Sequence, residues 1–110
     1  MSLWGVHIGV AGTVTVLVLF VLAPGFRYRA VVVAASALWA VLPDFHHVLG
    51  GFPTLQTGWR AVHDSAFANL FWFHRVIDRS DPGDDPVRSL AMWGLLLVVV
   101  VGTELVIRRR

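Results

Sequence analysis

A chain of 110 residues that is 56% hydrophobic and only 15% charged, with a mean hydropathy of +0.69, holds one domain at most, and its solvent is lipid; water-soluble domains carry about 25% charged residues. The absence of cysteine excludes disulfides, thiolate metal sites and iron–sulfur clusters. Nine arginines, no lysine and seven acids give a net charge of +2. The arginines are scattered apart from Arg108-Arg109-Arg110, so the pI near 10.5 is not a nucleic-acid signal.

Leu3 to Ala23 reads as the first span. It carries no formal charge and would measure about 31 Å as a helix, enough to cross a bilayer. It lacks the basic start and the short apolar run of a cleaved signal peptide, so it is expected to stay in the protein. Gly5, Gly9 and Gly12 fall on one stripe and would let another helix approach closely. Pro24-Gly25 ends the span, and Arg27 and Arg29 make the next loop basic.

The second span is predicted over residues 28–42, stopped by Pro43, which disfavours helical geometry at Leu42. Residues 48–58 hold Gly50-Gly51, Pro53 and Gly58 and read as a loop. Residues 60–77 read as one aromatic helix that also carries His63, Asp64, Asn69, His74 and Arg75. Such a helix either packs inside a bundle or lies in the membrane interface. An acidic turn runs from Asp78 to Pro86, and residues 87–107 form the last span. Glu104 precedes Arg108 by four residues, a spacing that pairs them on a helix. The expected fold is therefore all-α, an integral membrane bundle of three to four helices in a multi-pass cell-membrane protein. If the helix over 60–77 does not cross, Arg27, Arg29 and the terminal arginines share one side. The positive-inside rule makes that side the cytoplasm.

The polar residues concentrate between Leu42 and Asp64. Hairpin connectivity brings the start of the first span and the end of the second to the same membrane face. His7, Asp44, His46, His47, His63 and Asp64 should meet there. Imidazole and carboxylate together are the ligand set for zinc and related divalent ions, and a catalytic zinc keeps one position for water. Water activated in this way attacks an ester or amide. The candidate ligands are His7, Asp44, His47 and His63, with Asp64 or His46 as base or outer partner. His74 lies eleven residues after His63, about 16 Å along an unbroken helix. On that reading it cannot share the ion and pairs instead with Asp78.

At these residues the chain resembles the membrane-bound metal-dependent hydrolase family. Trp4-Gly5-Val6-His7 is similar to that family's early histidine element. Pro43-Asp44-Phe45-His46-His47 is similar to its Pro-Asp-x-Asp-His box, and Arg60-Ala61-Val62-His63-Asp64-Ser65 to its Arg-x-x-(Thr/Ala)-His-Ser box. The resemblance implies a metal-dependent hydrolase. A site at the membrane face adds lipid, or a lipid-linked ester or phosphoester, as the expected substrate class. The alternative expectation is a non-catalytic membrane subunit whose small-residue faces pack with a second copy or with a partner membrane protein. A haem carrier with two axial histidines is a further reading, although nothing in the sequence marks a porphyrin pocket.

Overall fold

The computed structural model describes residues 4–81, 83 and 85–110. Leu3 of the first predicted span, and Pro82 and Asp84 of the acidic turn, lie outside them. The described chain is helical, with no strand: α1 (Trp4–Leu22), α2 (Arg29–Val41), α3 (Pro53–His63), α4 (His74–Ser80) and α5 (Pro86–Arg109). Two 3-10 segments, Leu42–Val48 and Ala66–Leu70, join them. Three helical stretches are long and apolar enough to cross a membrane: Trp4–Leu22, Arg29–Val48 and Pro86–Arg109. The second of these runs past Pro43, because the chain tightens into 3-10 geometry there instead of ending.

α1 is the central rod. It packs against both α2 and α5 and buries Gly5, Val6, His7, Gly9, Ala11, Gly12, Thr13 and Thr15. α5, by contrast, buries no residue. The glycine stripe is what lets α5 come close. A Cβ on Gly9 would stand 2.6 Å from Met92 Cβ, one on Gly12 would touch Leu96, and one on Gly5 would collide with Ser89 and Trp93. In lipid, where apolar surface gains nothing by leaving the solvent, such close backbone packing is a main source of helix association. On the α2 side Thr15 donates its hydroxyl proton to the Ala11 carbonyl and accepts from Ser36 at 2.7 Å.

The ends of the bundle differ in charge. Arg29 pairs with Glu104 at 2.9 Å, Arg108 pairs with the same glutamate, and the Arg110 guanidinium lies over the Phe20 ring. The end of α1, the start of α2 and the end of α5 therefore share one end. The segment between α2 and α5 folds as a cap over the other.

The single helix expected over residues 60–77 does not form. α3 stops at His63, Ser65 is extended, and the 3-10 turn Ala66–Leu70 follows. Trp72 and Phe73 then adopt left-handed geometry, both at φ 55°, and turn the chain back before α4. Side chains hold this reversal in place. Trp39 Nε1 donates to the Leu70 carbonyl, the Trp39 ring stacks on Phe71, and Asn69 accepts from the Val76 amide. None of the cap helices is long enough to cross a bilayer.

Filling the glycine stripe should separate α1 from α5. Gly9→Leu is expected to cost about 1–3 kcal/mol of stability. Gly94→Ala, on the open side of α5 where an added Cβ meets nothing, should change it by less than about 1 kcal/mol. Thermal unfolding of the detergent-solubilised protein measures both.

Candidate metal centre

The cap brings together a donor set drawn from three elements. Asp44 comes from the 3-10 turn that ends the second apolar stretch, His63 from the last residue of α3, and His74 and Asp78 from successive turns of α4. One ligand atom from each lies within 4.8 Å of all the others, so this group could hold a metal ion. Asp44 and His74 are fully buried, and His63 is nearly so. Asp78 is the most open of the four.

The distances are those of a coordination shell. His63 Nε2 lies 3.2 Å from both Asp44 Oδ1 and Asp78 Oδ2, and His74 Nε2 lies 3.2 and 3.5 Å from the same two oxygens. Donors at the usual zinc bond lengths of about 2.0–2.1 Å stand about 3.3–3.4 Å apart when tetrahedral. The four imidazole–carboxylate separations are close to that, and the His63–His74 and Asp44–Asp78 separations lie within 4.8 Å.

The tautomers sharpen the point. His74 Nδ1 donates to the Ala40 carbonyl at 2.9 Å, and His63 Nδ1 donates to Asp64 at 2.9 Å. Each ring has thus spent its Nδ1 proton outside the cluster and turns Nε2 inward, as metal-ligating histidines do. Asp44 Oδ2 and His63 Nε2 have no hydrogen-bond partner among the described residues. His74 Nε2 donates to Asp44 Oδ1 at 3.2 Å. The two carboxylates so placed repel each other unless a proton of this kind or a cation sits between them.

The sequence-derived candidates divide accordingly. Asp44 and His63 are in the cluster. His7 lies against it: fully buried, its ring stacks on His74 at 3.9 Å, and its Nε2 meets Asp78 Oδ1 at 3.1 Å. It thereby holds the oxygen of Asp78 that faces away from the other donors. His47 is not in the cluster; its side chain is exposed and leans on His46. Ideal 3-10 pitch would eclipse residues 44 and 47, so pitch does not explain the difference; the His47 ring lies against His46, 3.9 Å between centroids, on the outer side of the turn. His46 is buried but donates Nδ1 to the Pro43 carbonyl and packs against the His63 ring at 4.7 Å. It serves as a wall of the site. Asp64 is exposed and acts through His63, whose hydrogen bond holds the Asp64 carboxyl below the usual carboxylate range.

His74 and Asp78 are the residues that sequence reasoning left out. The separation of about 16 Å presupposed an unbroken helix, and the reversal at Trp72-Phe73 removes it. Their spacing of four residues did place both on one face of a helix, where two ligands can come from a single turn. Burial pulls the His74 imidazole down, but the hydrogen bond and charge of Asp44, the Ala40 carbonyl and Asp78 outweigh it and raise the group above its ordinary value.

Removing a donor or its partner should have graded effects on metal content, read by elemental analysis of purified protein. Asp44→Asn and His74→Ala should abolish binding, Asp64→Asn should weaken it about 10–100-fold, and His47→Ala should leave it unchanged. The raised His74 value also fixes a sign. In metal-free protein its stabilising contribution is complete below the unfolded value of about 6.5 and is lost as pH rises through the folded value. A bound ion replaces the proton in that upper range. The gain in melting temperature on adding zinc should therefore grow as pH rises from about 6 to 8.

No protein-family model, curated protein or solved structure matches the chain.

Proposed function

We propose that the chain is an integral membrane protein with a divalent-metal centre at one membrane face, and that the centre hydrolyses an ester or phosphoester presented there. The observation that carries the metal reading is the convergence of two Nε2 atoms and two carboxylate oxygens at 3.2–3.5 Å, with both Nδ1 protons committed elsewhere. Two imidazoles and two carboxylates are a donor set that suits zinc. The ion would supply the positive charge that makes water a nucleophile near neutral pH.

The protein's own groups have defined parts. Ala40 and Asp64 orient the imidazoles. Asp78, the most open donor, is gripped by His7 through its other oxygen, so it can turn toward His7 and yield a place to water. His7, whose Nδ1 has no partner among the described residues, stands next to that place and can hold the proton released. The similarity of the His7, Pro43–His47 and Arg60–Ser65 segments to the metal-dependent hydrolase motifs points to the same chemistry. Five arginines at the opposite end, clustered next to the span ends, against four at this one (Arg60, Arg75, Arg79 and Arg88) tilt the positive-inside rule by one residue toward a centre on the face away from the cytoplasm. Lipid-linked esters and phosphoesters are the substrates within reach there.

One observation favours a second reading. Four protein donors with none left to water are the mark of a structural zinc, and these four tie the end of α2, the end of α3 and α4 together. Zinc-loaded protein should be assayed in detergent against chromogenic carboxylic esters, phosphomonoesters and phosphodiesters, and cobalt-substituted protein should be examined by visible absorption. Turnover lost in Asp78→Asn, together with a five-coordinate cobalt spectrum, supports the hydrolase. No turnover, a four-coordinate spectrum and a large fall in melting temperature on chelation make the ion structural. Failure of purified protein to bind any divalent ion refutes both.

A further inference from the structure

The arginine end of the bundle contains a cleft of about 400 Å³ between α1, α2 and α5. Val16, Leu19, Phe20, Val33, Val100 and Ile107 line its apolar part, and Arg27, Arg29, Thr103 and Glu104 its polar mouth. We propose that it binds an anionic phospholipid, with the phosphate at Arg27 and Arg29 and the upper acyl chain along the apolar walls. The proposal rests on the membrane reading above and is independent of the metal centre.

Charge is the first argument. Arg27, Arg29, Arg108, Arg109 and Arg110 stand at this end against the single acid Glu104. Glu104 is already engaged by both Arg29 and Arg108, at 2.9 and 3.2 Å. It fixes Arg29 in the mouth without cancelling the surplus. Arg27 is exposed and makes no ion pair among the described residues, and its guanidinium lies over the Tyr28 ring, 5.4 Å from the centroid. Basic pockets between spans at the cytoplasmic face are where anionic headgroups bind.

Shape is the second argument. α5 packs on α1 and meets α2 across the cleft through the Arg29–Glu104 pair, so the space between α2 and α5 is open beneath that bridge. The Phe20 ring, with Arg110 over it, forms one rim. Thr103 donates its hydroxyl to the carbonyls of Val99 and Val100 and so presents no free proton to a ligand. That leaves the guanidinium groups as the donors available at the mouth, a preference for anions over zwitterions.

The test is native mass spectrometry of the full chain in neutral detergent, offered equal amounts of phosphatidylglycerol and phosphatidylcholine with identical acyl chains. Phosphatidylglycerol should be retained preferentially. Arg27→Gln, which breaks no ion pair, should lower its affinity about fivefold, and Arg27→Gln with Arg29→Gln about 25-fold. Val33→Trp, which fills the cleft and leaves every arginine in place, should reduce retention of both lipids. Equal retention of the two lipids by the wild type would overturn the proposal. So would a phosphatidylglycerol preference that survives the double substitution, because that places the site at Arg108–Arg110. An unchanged far-ultraviolet circular dichroism spectrum and melting temperature in the variants confirm that they are folded, whether or not the far end binds zinc, and so separate a failure here from a failure of the metal reading.

Discussion

Asp44 and His74 are wholly buried, in a molecule with three helical stretches long and apolar enough to cross a membrane. Taking a carboxylate out of water costs several kcal/mol even after relaxation, and the fold sets a second carboxylate, Asp78, on the same spot. The arrangement holds only if positive charge sits among these groups. Protonated His74 can supply it at low pH, and a divalent ion supplies more of it at neutral pH. Every partner of the cluster is arranged for that outcome. Ala40 and Asp64 take the outer protons of the two imidazoles, and His7 takes the outer oxygen of Asp78.

The same requirement organises the cap. Residues 49–80 contribute few buried apolar side chains; Ala68 is the one buried hydrophobic residue among them. What fastens the segment to the bundle is polar: Trp59 to the Leu42 carbonyl, Gln56 to the His46 carbonyl, Trp39 to the Leu70 carbonyl, and the His/Asp cluster itself. Phe52, Leu55, Phe67, Leu70 and Phe73 stay exposed, which suits a segment lying in the interface plane with its aromatic side toward the acyl chains.

The sequence made the bundle legible because its spans are long and nearly free of charge, and lipid leaves such a chain few alternatives to helix. Half of the donor set was legible for a simpler reason. An antiparallel hairpin must return the end of α2 to the start of α1, so Asp44 and His7 had to share a face, and His63 followed a short loop. His74 was hidden by a local event that periodicity does not report. Trp72 and Phe73 in left-handed geometry are unfavourable for bulky residues, and nothing in an aromatic run announces the reversal. His47 was misplaced for the complementary reason. Three-residue spacing from Asp44 implies a shared face in an α-helix, and more so in a 3-10 turn, yet Asp44 is at 0% and His47 is exposed. Regular pitch does not describe this turn, and spacing alone could not place His47.

The reversal and the cluster depend on each other. Two left-handed non-glycine residues cost about 1–2 kcal/mol each, and the hydrogen bonds of Asn69 and Trp39 to this segment return about 1 kcal/mol apiece. That balance is close to even, so the turn alone gives α4 little reason to fold back. Ligation of His74 and Asp78 would supply the difference, because an ion that binds only the folded arrangement contributes its binding free energy to folding. The strain stored at Trp72-Phe73 and the metal centre are then one device. The turn places two donors where an unbroken helix could not, and an ion bound there would hold the turn that places them.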